Sequence, residues 1–343
     1  MVDIKKLVRE NVLNLTPYSC ARDEYTGTTG IFMDANENPY GNLNRYPDPY
    51  QKELKTAISK FKGITREKIF LGNGSDEVID LCFRIFCSPG VDKALTFTPT
   101  YGMYEVSATI NNIKVLNVPL NEMFQIDLQN VIPLFADRNL KLIFICSPNN
   151  PTGNSMNFSD VEYIIKNFSG IVVIDEAYID FSDKASFLGL IDKYPNLVVM
   201  QTFSKAFGLA AVRVGIAFSD PDTIHFFNKL KPPYNISSIN QKAALRKLDK
   251  IEEDNEQVDK IKEEKTRLSA NLQKMRLTEK VYPSDANFLL VKVKNATYIY
   301  NTLVKKNIIV RNRSNVIDNC LRITVGKKSE NDRLIKTLKT IEL

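Results

Sequence analysis

Four short polar clusters each follow an apolar, strand-like run, and together they hold the groups this chain could use for chemistry. Lys205 stands in Thr202-Phe203-Ser204-Lys205-Ala206-Phe207-Gly208-Leu209, with hydroxyl residues before it, small residues after it and Arg213 eight positions on. That is a poor setting for a solvated surface lysine. Asp175 opens Asp175-Glu176-Ala177-Tyr178 directly after the apolar run Gly170–Ile174. An acid at the rim of a buried sheet is costly when unpaired, so something cationic should meet Asp175. Ser147-Pro148-Asn149-Asn150-Pro151-Thr152-Gly153 reads first as a tight turn, but its paired asparagines carry amides that can donate to a ligand oxygen. Gly72-Asn73-Gly74-Ser75-Asp76-Glu77 joins a strand to a helix. It is neither a P-loop nor a dinucleotide fingerprint, which leaves a phosphate cradle of free N–H groups or a plain helix start capped by Asn73 or Ser75.

Composition narrows the classes of chemistry. The 343 residues are 43% hydrophobic and 25% charged, which is ordinary globular usage, and the length suggests two domains. No stretch approaches the roughly 20 apolar residues of a membrane span. Met1-Val2-Asp3-Ile4-Lys5-Lys6 lacks an apolar signal core, so a cytoplasmic location is expected. A net charge of +6, with 46 basic and 40 acidic residues spread along the chain, lacks the clustering that nucleic acid binding demands. Cys20, Cys82, Cys87, Cys146 and Cys320 form no C-x-x-C pair and read as reduced, buried thiols. His225, the single histidine, cannot build a zinc site alone and lies in a helix-like run, so it reads as structural and no metal is expected.

The elements that must position these clusters alternate. Helices are expected at Tyr50–Phe61, Asp76–Phe86, Tyr101–Asn111, Asp127–Phe135 and Asp160–Asn167. Strands are expected at Lys68–Leu71, Lys93–Phe97, Lys114–Val118, Lys141–Cys146, Gly170–Ile174 and Asn196–Gln201. Short unbroken apolar strands between helices indicate an α/β fold with a mostly parallel sheet covered on both faces. In such sheets ligands bind at the carboxyl ends of the strands, where all four clusters fall. Residues 1–45 read as an irregular arm that packs on the small domain and the dimer partner, with turn formers at 25–30 and 36–41, and 46–235 as the large cofactor-binding domain. Residues 236–343 read as a smaller α+β domain entered through one long charged helical stretch, Ile239–Met275. In it, strands are expected at Ala286–Val293, Ile308–Arg311 and Cys320–Val325, and helices at Thr297–Lys306 and Glu330–Ile341.

Asn150-Pro151-Thr152-Gly153, Asp175 with Tyr178, and Ser204-Lys205-Ala206 with Arg213 resemble, in order and spacing, the fold-type I pyridoxal-phosphate aminotransferases. The resemblance implies pyridoxal 5′-phosphate as cofactor, with Lys205 as the Schiff-base lysine that also serves as general base and acid. It implies that Asp175 pairs with the pyridine nitrogen, supplying the missing cation, while Asn150 and Tyr178 donate to the ring's phenolic oxygen. Arg213, Ser204 and Thr202 join the amides of Gly74, Ser75 and Asp76 around the phosphate, and Tyr101 stacks on the ring.

Leu15-Thr16-Pro17-Tyr18, Arg45-Tyr46-Pro47-Asp48, Pro232-Pro233-Tyr234-Asn235 and Leu321-Arg322-Ile323-Thr324-Val325-Gly326 are similar to segments of the histidinol-phosphate aminotransferases. That family exchanges the amine of an imidazole-bearing amino alcohol phosphate with glutamate and 2-oxoglutarate. The resemblance implies that Arg322 binds a carboxylate or phosphate, that Arg311 and Arg313 add contacts, and that Tyr18 closes over the substrate. It also implies that Tyr46 reaches the cofactor phosphate of the other subunit of a homodimer with shared active sites. Lys231 and Ala211 stand where relatives often have arginine and glycine. Aromatic amino-acid transamination and threonine-phosphate decarboxylation on the same scaffold are the alternatives. A non-catalytic binding protein is disfavoured, because pure binding has no use for a Schiff-base lysine.

Overall fold

The computed structural model describes residues 2–20, 27 and 30–341. One sheet comprises β1 (Ile69–Asn73), β2 (Lys93–Thr98), β3 (Lys114–Pro119), β4 (Leu140–Cys146), β5 (Ile171–Asp175), β6 (Leu197–Thr202) and β7 (Val214–Phe218), in the order β1-β7-β6-β5-β4-β2-β3. Strands β2 to β6 pair in parallel, while β7 runs antiparallel to both β6 and β1. The central strands are apolar at successive positions because both faces are covered. Val172, Ile174 and Val199 enter one apolar cluster, and their neighbours Ile171, Val173 and Val198 enter the cluster on the other face.

The helices of this half are α1 (Glu10–Leu13), α2 (Lys52–Lys62), α3 (Ser75–Phe86), α4 (Met103–Ile110), α5 (Leu128–Val131), α6 (Phe158–Asn167) and α7 (Pro221–Leu230). Asn157 and Asp220 cap α6 and α7 by accepting backbone N–H groups two residues on. Helix α3 has no side-chain cap, so neither Asn73 nor Ser75 fills that role. The helix expected over 127–135 is only the single turn α5 followed by a 3-10 segment, Ile132–Ala136, because Pro133 removes a donor. The first residues are less irregular than their sequence suggests and pack on the large domain rather than the small one: the apolar Ile4, Val8 and Val12 join the core against α3 and α7. The turn formers Tyr25, Thr26, Thr28 and Thr29 lie outside the described residues.

The helical stretch 239–275 is two helices, α8 (Ser238–Leu248) and α9 (Ile251–Gln273), broken at Asp249-Lys250. The break follows from packing: α8 lies against α2 of the first sheet, whereas α9 packs on the second. That second sheet is β8 (Thr278–Val281), β9 (Phe288–Val293), β10 (Arg311–Asn312) and β11 (Cys320–Thr324), antiparallel in the order β10-β11-β9-β8. Helices α10 (Ala296–Lys305) and α11 (Lys328–Lys339) complete its core. Lys265 of α9 turns inward and donates to the carbonyls of Ser284 and Ala286. No described helix is long and apolar enough to cross a membrane.

Strands β7 and β8 escape the sequence reading. The run Val214-Gly215-Ile216-Ala217-Phe218 holds a glycine and an alanine, both weak strand formers. Gly215 is there because α3 begins directly over it: a Cβ would lie 2.5 Å from the Ser75 nitrogen and 2.7 Å from the Gly74 oxygen. Gly215→Ala is therefore expected to lower stability by on the order of 2 kcal/mol in urea denaturation. Gly189→Ala, at a position with nothing within 4 Å of the added carbon, should stay within about 0.5 kcal/mol of the parent.

Candidate active site

Strands β4, β5 and β6 end side by side, with Cys146 opposite Asp175 and Asp175 opposite Met200. Above these ends lies a cavity of about 550 Å³, walled by loops of the first sheet and by arginines of the second.

Asp175 forms the floor and is 4% exposed. Its Oδ1 accepts from the Ala177 N–H at 3.0 Å and its Oδ2 from the Tyr104 hydroxyl at 2.8 Å. Burial pushes the carboxyl up; the two hydrogen bonds and the charge of Lys205 pull it back. Among the described residues no cation lies within ion-pair distance of it. Lys205 Nζ stands 5.5 Å from the centre of the Tyr178 ring. Burial lowers its pKa, and the charges of Arg322 and Arg213 lower it further. The environment thus disfavours the charged form of Lys205, which suits an amine that must act as nucleophile or base.

At one end of the cavity lies the start of α3, which has no side-chain cap and lines the space with Ser75 and Asp76. Gly74 precedes the helix at φ +77°, and the Arg213 guanidinium lies so close that a Cβ on Gly74 would sit 2.5 Å from Nη2. Arg213 is itself in the left-handed region (φ +56°) and closes the turn that brings it back over the strand ends. It donates to Ala210 O at 3.2 Å and Ser204 Oγ at 3.5 Å, and pairs with Asp76 at 3.3 Å. The Ser204 N–H donates to Thr202 Oγ1 at 3.1 Å, and the Tyr101 hydroxyl donates to Asp76 at 3.2 Å. A helix N-terminus, an arginine and clustered hydroxyls form a ready anion site.

The opposite wall comes from the second sheet. Arg311 and Arg322 face each other across β10 and β11, and Arg313 lies beside them. Among the described residues none of the three has a carboxylate partner. Arg313 Nε and Arg322 Nε are buried without an acceptor. Burial and the neighbouring guanidiniums lower the pKa of both Arg313 and Arg322. Arg322 donates through Nη1 to Asn150 Oδ1, which leaves the Asn150 amide nitrogen to face the cavity. Three close guanidiniums without an acid constitute a second anion site.

The cavity thus brings together Ser75, Asp76, Tyr101, Asn150, Asp175, Tyr178, Thr202, Ser204, Lys205, Arg213, Arg311, Arg313 and Arg322. Gly74 lies beneath Arg213, but the N–H expected to meet a phosphate is donated to Gly72 O at 2.8 Å, so Gly74 shapes the site without offering a free donor. Tyr18 does not close over the cavity of its own chain. It is 75% exposed and lines a separate groove with Tyr50, His225 and Lys231, because its segment follows α1 along α7. Tyr46 also lies outside the cavity, half-exposed and stacked on Tyr234 at 4.4 Å. One residue of the floor carries no signal in the sequence. Tyr104 looks there like an ordinary core aromatic of α4. Asn149 is fully buried, its amide donating to Pro99 O and Thr152 Oγ1 while its oxygen accepts from Thr100. Of the paired asparagines, Asn150 faces the cavity and Asn149 ties its two rim loops together.

Asp175 has a higher pKa folded than unfolded, so its destabilising effect is absent below about pH 4, where the carboxyl is protonated in both states, and grows as pH rises through the folded value. Asp175→Asn is therefore expected to raise the unfolding temperature of the cofactor-free protein at pH 8, with the gain disappearing toward pH 4. Thermal melts across that range check it.

A family model described as aminotransferase class I and II matches residues 11–338. A histidinol-phosphate aminotransferase of Parabacteroides distasonis is 51% identical over 100% of both chains. Another, from Cytophaga hutchinsonii, is 50% identical over 98% of this chain and 99% of its own. The crystal structure of the histidinol-phosphate aminotransferase from Clostridium acetobutylicum superimposes with a TM-score of 0.80 at 27% identity, covering 87% of this chain and 90% of the other. The matched region takes in both sheets and every wall of the cavity: this chain belongs to the class I and II aminotransferase family.

Proposed function

We propose that this chain transfers an amino group between L-histidinol phosphate and 2-oxoglutarate, giving imidazole-acetol phosphate and glutamate, and so serves histidine biosynthesis. The observation that carries this reading is a cavity with two separate anion sites on opposite walls, and a buried carboxylate and a low-pKa amine between them. Full-length relatives at half identity carry that activity in their names.

The cofactor of this family is pyridoxal 5′-phosphate, which when bound supplies an aldehyde for the amine and a ring that withdraws electrons from the reacting carbon. The residues present fit it. Asp175 is a buried carboxylate without a cation, which a protonated ring nitrogen would satisfy. The uncapped start of α3 with Arg213, Ser204 and Thr202 suits a phosphate, and Tyr101 flanks the space between. Asn150 and Tyr178 are placed to donate to a ring oxygen. Lys205 would hold the aldehyde carbon of the cofactor, and its Nζ, when free, would carry the proton to and from the amine-bearing carbon of the substrate. Arg322, with Arg311 and Arg313, holds the substrate phosphate or the α-carboxylate of glutamate; the bidentate fork serves either anion.

The enzyme acts as a homodimer in the cytoplasm. Ile31, Met33 and Tyr40 are each more than four-fifths exposed, and Val106 and Ile110 expose the outer face of α4 beside the cavity. A second subunit would cover these side chains, and Tyr18 and Tyr46 enter the reading only through it. Cys82, Cys87, Cys146 and Cys320 are buried thiols, which suits a reducing compartment. Residues 46–235 form the cofactor-binding unit, 236–343 the smaller unit that brings the arginine wall, and 1–45 the arm at the dimer boundary.

Half-reactions followed through the visible absorbance of the cofactor test the assignment. Histidinol phosphate and glutamate should convert the enzyme to its amine form quickly, and phenylalanine, tyrosine and threonine phosphate far more slowly. Faster reaction with the aromatic amino acids would move the enzyme to another pathway. Lys205→Ala should lower turnover by at least about 10³-fold while the dimer stays folded in size-exclusion chromatography; retained turnover would mean another amine does the chemistry.

A further inference from the structure

We propose that Tyr104 is a positioning residue for amino-group transfer: its hydroxyl holds the Asp175 carboxylate aimed into the cavity and thereby sets how tightly Asp175 grips the cofactor ring. The inference rests on the function proposed above and adds a residue that lies one layer behind the cavity wall.

Asp175 is gripped from two sides. The Ala177 N–H that meets Oδ1 belongs to the chain immediately after β5 and moves with it. The Tyr104 hydroxyl that meets Oδ2 comes from a different element, the first turn of α4. Only the second contact fixes the carboxylate relative to the rest of the site. Tyr104 is 1% exposed and stacks on Phe144, with centroids 5.0 Å apart and ring planes inclined by 19°. It also meets Tyr101 edge-on at 5.6 Å and 86°. One side chain therefore braces both the aromatic wall and the acid of the floor. The phenol is the donor, since burial and the adjacent Asp175 charge push its pKa up. The bond from Tyr104 favours the ionised form of Asp175 against the cost of burial. The nearby Cys146 thiol is held neutral by burial and by the same carboxylate, so it offers no competing charge.

The test is a double-mutant cycle on cofactor release, read from holoenzyme by equilibrium dialysis and cofactor absorbance rather than by turnover. Tyr104→Phe keeps the ring and its contacts with Phe144 and Tyr101, and thermal melts confirm the fold. It should weaken pyridoxal phosphate binding about tenfold in the parent. In an Asp175→Ala background the same change should alter binding less than about twofold, because the hydroxyl no longer has its acceptor. Equal losses in both backgrounds, or no loss in the parent, would overturn the inference and leave Tyr104 a packing residue. With cofactor labelled at the ring nitrogen, the nitrogen-15 shift in Tyr104→Phe should move toward the unprotonated value at lower pH than in the parent; an unchanged titration would also overturn it. If Asp175→Ala alone leaves cofactor affinity intact, the fault lies instead in the reading of Asp175 as the ring's partner.

Discussion

A carboxylate at the end of a buried strand is the constraint on which the rest of this structure depends. Asp175 sits where the sheet is covered on both faces, and water cannot solvate its charge. The protein meets that cost in part with two hydrogen bonds and leaves the remainder to a group from outside the chain. Apolar strands on either side keep the floor rigid and dry. Lys205 and the arginines stand far enough away that none neutralises the acid by direct pairing. The site is thus stable only in part on its own and gains from binding the cofactor of its family.

The anion site at α3 follows from backbone geometry more than from side-chain chemistry. A helix without a capping side chain has N–H groups to spare, and Gly74 at φ +77° lets the chain turn directly into that helix. Gly215 lets the helix start settle onto β7, and Arg213, at the head of that strand, swings back over Gly74. Strand β7 is antiparallel because the chain must reverse at Arg213 to place the guanidinium there. Topology and electrostatics are one solution here.

The second anion site depends on the smaller sheet lying against the strand ends of the larger one. Arg311 and Arg322 are cross-strand neighbours, which without an anion is an unfavourable pairing. Arg322 offsets part of it by donating to Asn150, and so couples the smaller sheet to the loop after β4. The same contact orients the amide that faces the cofactor space. An anion on the arginine wall is therefore felt at the ring's edge.

The sequence by itself determined the fold class, the strands that end in polar clusters and the groups with reactive chemistry. Those signals are local: apolar runs mark β4, β5 and β6, and a lysine among hydroxyls or an acid after a strand is visible within a few residues. What only the tertiary structure decided is long-range. Tyr104 looks like any core aromatic until Asp175, far along the chain, is seen beside it. Asn149 and Asn150 look alike until one is buried among the rim loops and the other faces the cavity. The weak strand β7 forms because two neighbours pair with it, not because its residues favour extension. The break between α8 and α9 exists because the two halves pack on different sheets. Tyr18 and Tyr46 lie outside the cavity because their segments run along α7 and against Tyr234. Pattern fixes what each segment prefers; only packing brings distant charges within reach of one another.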